Sequence, residues 1–116
     1  MQKINGALYA EMIRGGAASL CACRERINDL NVFPIPDGDT GDNMLMTIEG
    51  GVPADDAGTL SRVSEEVADG MLLSARGNSG VILSQFFEGV RQGLAGHTDA
   101  TAAELAEAFR LGVKQA

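Results

Sequence analysis

The chain has no tryptophan, a single tyrosine (Tyr9), four phenylalanines, two cysteines and one histidine. Sparse aromatics, with Ala, Leu, Glu and Arg prominent in what remains, favour helix over sheet. No stretch of useful length alternates apolar with polar residues as a half-buried strand does, and no internal repeat is present. Basic residues are in deficit: the formal net charge is −7, which excludes general nucleic-acid binding, since that needs a basic face. No apolar run approaches the ~20 residues that a membrane span requires. The opening Met1-Gln2-Lys3-Ile4-Asn5-Gly6 lacks the apolar core of a signal peptide. Cys21 and Cys23 stand two apart in a helical pattern and so point to different faces. No histidine or further cysteine completes a zinc set, and both are expected to be reduced packing residues of a cytoplasmic protein. The 116 residues suffice for one modest domain.

Proline is scarce too, and two of the three prolines fall in one place. Asn31-Val32-Phe33-Pro34-Ile35-Pro36-Asp37-Gly38-Asp39-Thr40-Gly41-Asp42-Asn43 carries three carboxylates within six residues. Each proline disfavours α geometry in the residue before it, so the approach is extended. Gly38 and Gly41 permit turns closed to other residues. Crowded carboxylates repel one another, and a hard divalent cation removes that cost by accepting several oxygens. The spacing is not that of an EF-hand loop. A solvated acidic turn with a helix cap is the plain alternative. The strut of prolines and the second glycine point to a metal site. A helix follows from near Thr40, with Asp39, Thr40 or Asp42 as its cap, and ends at Gly50-Gly51 before Pro53.

Four further segments read as helix. In residues 4–30, Ile4, Leu8, Met12 and Ile13 form one apolar stripe. Leu20, Ile27 and Leu30 form another, with Ala17 and Cys23 as small fillers. Gly15-Gly16 predicts a kink, a break or a close crossing there. Arg24, Glu25 and Arg26 are assigned to a solvated face. Thr59 or Ser61 starts a helix with Leu60, Val63, Val67 and Met71 on one side. Thr101 and Glu104 make a capping box for a last helix with Leu105, Ala108, Phe109 and Val113. Asp55 and Asp56 are read as a loop rather than as ligands. His97, in a Gly-rich turn, is read as a surface residue.

The remaining segment is Leu73-Ser74-Ala75-Arg76-Gly77-Asn78-Ser79-Gly80, a polar loop running into the apolar helix Val81–Phe87. A loop that opens a helix offers free N–H groups and the positive end of the helix dipole. Its glycines let a phosphate approach the backbone, and Asn78 and Ser79 can donate hydrogen bonds. The alternative is an ordinary turn with Asn78 or Ser79 as cap. The segment is neither a Walker A sequence nor a Rossmann fingerprint.

Together, Asn31–Gly41 and Ala75–Gln85 resemble the N-terminal kinase domain of bacterial fatty acid kinase, itself similar to the ATP-binding subunit of dihydroxyacetone kinases. Ile4-Asn5-Gly6 matches as well, so the resemblance spans residues 1–116. It implies an all-α fold, a barrel of antiparallel amphipathic helices, with ATP or ADP at one end and Mg²⁺ between its phosphates and the acidic loop. By that resemblance Asp37 and Asp39 hold metal, and Asn31 lies near a third ligand position, shifted by one residue. Thr40 stands where the dihydroxyacetone branch has histidine, and Asn43 matches the asparagine that starts the next helix. Asn78, Ser79 and Gly80 match the loop that contacts nucleotide phosphates. Asp42 departs from the threonine usual in the fatty acid branch.

The family domain runs to roughly two hundred residues, and its later Gly-Thr-type segment has no counterpart here. The expectation is therefore the N-terminal part of one kinase domain, incomplete toward its C-terminus. Its helix stripes at Leu60–Met71 and Leu105–Val113 should be left exposed or be covered by self-association into a homo-oligomer. The implied activity is transfer of the γ-phosphoryl of ATP to a fatty acid carboxylate presented by a lipid-binding partner protein. A kinase of small hydroxy-ketones, or a non-catalytic nucleotide-binding module, is the alternative. No side chain is singled out as catalytic.

Overall fold

The computed structural model describes residues 3–30, 38–54 and 58–116. The architecture is all-α: α1 (Gly6–Leu30), α2 (Thr40–Gly51), α3 (Leu60–Ser74), α4 (Gly77–Leu94) and α5 (Ala102–Gln115). Each helix packs on the next, α1 also touches α3, and α2 also touches α4. Among the described residues the only extended pairing is an isolated antiparallel bridge, Ile4 with Ala100. It ties the N-terminal segment to the α4–α5 connection through hydrogen bonds of 2.7 and 2.9 Å. Among the described residues no helix is long and apolar enough to cross a membrane.

α3 is the centre of the core. Leu60, Val63, Val67 and Met71 are wholly buried, as the helical spacing predicts. Each such side chain contributes about 1.5–3 kcal/mol by leaving water. The stripe thus finds its partners within these five helices and is not left exposed as expected. Thr59 caps α3 by accepting the Arg62 N–H. The α5 capping box forms as read: Thr101 Oγ1 accepts the Glu104 N–H, and the Glu104 carboxylate accepts the Thr101 N–H. On α5, Leu105 and Ala108 are buried, whereas Val113 is exposed.

α1 departs from its reading in three ways. It has no break at Gly15-Gly16, because the packing of Ile13 and Ala17 outweighs a propensity cost of about 1 kcal/mol per glycine, and no close crossing uses these glycines, since a Cβ on Gly15 would meet nothing within 4 Å. Its buried face is Gly6, Tyr9, Ala10, Ile13 and Ala17, while Leu8, Met12 and Leu30 are exposed. Small residues take the inner face because α3 comes close: a Cβ on Gly6 would lie 2.8 Å from Val63 Cγ2. Cys21 and Cys23 are free and both exposed, not packing residues.

Candidate functional site

Two i, i+4 pairs bring the informative segments together. On α1, Arg24 and Asn28 share a face, and that face meets the start of α2. The Asn28 side-chain oxygen accepts the N–H groups of Gly41 (2.8 Å) and Asp42 (3.2 Å). Its Nδ2 donates to Asp42 Oδ1 at 3.1 Å, and Arg24 Nε lies 3.7 Å from the same oxygen. Asp39 occupies the N-cap position of α2 without a side-chain capping bond. The cap read as Asp39, Thr40 or Asp42 is instead supplied across the helix interface by Asn28. Arg24, read as part of a solvated face, is an ion-pair partner of Asp42.

The role of Gly41 also changes. It lies inside the helix, and a Cβ there would overlap the Arg24 carbonyl oxygen. It therefore serves the close crossing of α1 and α2. Gly38 does take the left-handed turn, with φ of 68°.

On α2, Asn43 and Thr47 share the face toward α4. Thr47 is fully buried. Its hydroxyl donates to the Asn43 carbonyl at 2.8 Å and accepts the Arg76 N–H at 3.2 Å. Next to it Gly77 has φ of 65°, and a Cβ on it would sit 2.6 Å from Asn43 Nδ2. Gly80 is buried against the Thr47 hydroxyl. The starts of α2 and α4 thus lie side by side.

α4 begins earlier than the apolar run implies. Asn78, Ser79 and Gly80 are in its first turn, and only Ala75-Arg76 separates it from α3. Arg76, at the N-cap position, makes no side-chain capping bond. The first N–H to bond back is that of Gly80, to the Arg76 carbonyl at 3.0 Å. The N–H groups of Gly77, Asn78 and Ser79 therefore stand at the positive end of the helix dipole. Asn78 is exposed and Ser79 half-buried beside them. Such an end attracts anions such as phosphate.

Of the residues singled out from sequence, Thr40, Asn43, Asn78, Ser79 and Gly80 gather where α2 and α4 start, with Asp39 immediately before α2. Asn31 and Asp37 lie outside the described residues, as do Asp55 and Asp56. Among the described residues no three His, Cys, Asp or Glu side chains cluster. Asp39, spared from capping and half-exposed, fits a cation ligand in its chemistry. An oxygen donor of this kind is what Mg²⁺ takes, usually with only one or two carboxylates alongside phosphate oxygens and water.

Sequence reading missed Asn28 and Thr47. Thr47 carried a signal: a polar residue four after Asn43, between the core residues Leu45 and Ile48.

An open cleft of ≈ 520 Å³ lies at the other end of α2, lined by Gly50, Val52, Arg62, Glu65, Glu66 and Asp69 among others. Its three carboxylates oppose the charge of a phosphate chain. His97, half-buried in the α4–α5 connection, is engaged with the Asp99 carbonyl at 3.2 Å and is not part of either segment.

Residues 34–116 match the model of the DAK2 domain. An uncharacterized protein of Staphylococcus epidermidis is 41% identical over 119 aligned positions, covering 100% of this chain and 22% of the relative. Uncharacterized proteins of Staphylococcus saprophyticus and Staphylococcus aureus are 42% and 40% identical over the same shares. The chain thus spans about a fifth of the length of these relatives, 22% in each case.

Proposed function

Because the chain belongs to the DAK2 domain family, a kinase family of dihydroxyacetone-kinase type, we propose that it forms the nucleotide-binding end of an ATP-dependent phosphotransferase. The observation that carries this reading is the Thr47 bridge, which fastens the acidic segment's helix to the uncapped start of α4. A metal-bound triphosphate needs carboxylates for its cation and N–H donors for its oxygens, within reach of one ligand. Asp37 and Asp39 would hold the cation, with Asn31 as a further oxygen donor near them. Thr40 and Asn43 line the α2 side. Asn78 and Ser79, with the N–H groups of the first turn of α4, would hold phosphate oxygens. Gly80 keeps that turn close to α2. When bound, Mg²⁺ supplies neutralisation of the phosphate charge.

The whole protein's acceptor is proposed to be a fatty acid carboxylate presented by a lipid-binding partner protein, in the cytoplasm. The Pro-x-Pro-Asp-Gly-Asp-Thr form of Pro34–Thr40 favours it over a small hydroxy-ketone.

Calorimetry with Mg²⁺ and a non-hydrolysable ATP analogue tests the binding claim. The parent protein should bind only with metal, and the double variant Asp37→Asn/Asp39→Asn should lose that binding. Metal-dependent binding that survives the double substitution would contradict it.

A further inference from the structure

Three N-cap positions on this chain invite comparison. Thr59 and Thr101 have extended backbones, with ψ of 160° and 166°, and both side chains cap their helices. Asp39 has ψ of 6° and does not cap, although aspartate is among the strongest capping residues. The N–H groups it would take, those of Gly41 and Asp42, are occupied by Asn28 Oδ1. The same carboxamide donates to Asp42 Oδ1 through Nδ2. One side chain on α1 therefore caps α2 and engages Asp42, while Asp39 is left with no helix N–H bound to its carboxylate.

We propose that Asn28 is a positioning residue that divides the acidic segment, assigning Asp42 to the α1–α2 interface and reserving Asp39 for a cation. The inference rests on the nucleotide-site reading above, in which Asp39 is a metal ligand. A carboxylate bound to its own helix terminus commits part of its acceptor capacity to those N–H groups, and must release them to offer both oxygens to a cation. With Asn28 in place that release is unnecessary. Asp42, held by Asn28 and by Arg24, is not a ligand.

The test is titration of the protein with Mn²⁺ in the presence of ADP, free Mn²⁺ being read by electron paramagnetic resonance. It is paired with amide hydrogen exchange in the metal-free protein, well below every variant's melting temperature. Asn28→Ala should speed exchange at Gly41 and Asp42 and weaken Mn²⁺ binding by about fivefold, the scale of one helix cap. Arg24→Ala loosens the same interface but leaves the cap. Asp42→Asn keeps an acceptor for Asn28. Both should hold the Mn²⁺ affinity within about twofold, as surface ion pairs contribute little.

Equal affinity in the parent and Asn28→Ala overturns the inference alone. So does a loss in Arg24→Ala matching that in Asn28→Ala, which would mark a general loosening. Loss of Mn²⁺ binding in Asp42→Asn would make Asp42 the ligand and overturn it too. A parent protein that binds no Mn²⁺ with ADP overturns both this inference and the reading it rests on.

Discussion

The Thr47 hydroxyl accepts the Arg76 N–H at 3.2 Å while donating to the Asn43 carbonyl at 2.8 Å. A fully buried side chain thereby joins the two segments that the family resemblance assigns to metal and to phosphate. Thr47→Val keeps the shape but leaves the Arg76 N–H without its acceptor, which costs about 1–3 kcal/mol. Urea denaturation should show that loss, and Thr47→Ser should recover most of it. Equal stability of Thr47→Val and the parent would mean that the bridge holds nothing in place.

Gly77 combines φ of 65° with a Cβ position 2.6 Å from Asn43 Nδ2. Gly77→Ala meets both the left-handed backbone penalty of about 1–2 kcal/mol and displacement of the Asn43 carboxamide. A lowered melting temperature and weaker binding of the ATP analogue are expected together. A melting temperature unchanged from the parent would refute the close approach.

Tyr9 is a buried phenol whose hydroxyl has no hydrogen-bond partner among the described residues. Burial raises its pKa well above the ordinary tyrosine value. A raised folded-state pKa means that its contribution is complete below the unfolded tyrosine pKa and is lost as pH rises toward the folded one. Stability should therefore fall on the alkaline side. Tyr9→Phe should remove that slope and leave neutral-pH stability equal to the parent or higher by about 1 kcal/mol, since an unpaired buried hydroxyl is unfavourable. A clear destabilisation at neutral pH would mean that the hydroxyl has a partner.

Glu88 on α4 accepts from Arg91 Nε at 2.9 Å, and that hydrogen bond holds its carboxyl below the ordinary glutamate value. The contribution is present in full above the unfolded glutamate pKa and is lost as pH falls through the folded value. Glu88→Gln should flatten the acid limb of the stability curve by a few tenths of a kcal/mol, the scale of a partly exposed pair. Thermal melts between neutral and acid pH measure it, and an unaltered acid limb contradicts the assignment.

The helices were legible where bulky side chains repeat at helical spacing. Leu60, Val63, Val67 and Met71 fix the inner face of α3 without ambiguity, and Thr101 with Glu104 marks the start of α5. The inner face of α1 escapes a hydropathy pattern because it includes Gly6, Ala10 and Ala17, and close packing selects small residues that hydropathy ranks below Leu8 and Met12. The start of α4 was hidden because its N-cap is Arg76, a residue with no capping oxygen. Asn78 and Ser79 stand out in the sequence because glycine, short polar side chains and a helix start coincide, and Asn43 through the family resemblance; the structure sets all three in the first turns of α4 and α2. Asn28 does not stand out, since a cap delivered from another helix leaves no local pattern. From sequence Gly41 reads as a turn residue, whereas its reason is the Arg24 carbonyl oxygen across the α1–α2 crossing.

The central claim is that one ligand touches both segments. Mn²⁺ bound with ADP broadens nuclear resonances near it, so an amide map of the protein with increasing Mn²⁺–ADP reads the position directly. The account predicts early broadening at Thr40, Asn43, Asn78 and Ser79 together, with Glu65 and Asp69 in the acidic cleft unaffected. Broadening centred on Glu65 and Asp69, or confined to α2 while Asn78 and Ser79 stay sharp, would contradict it.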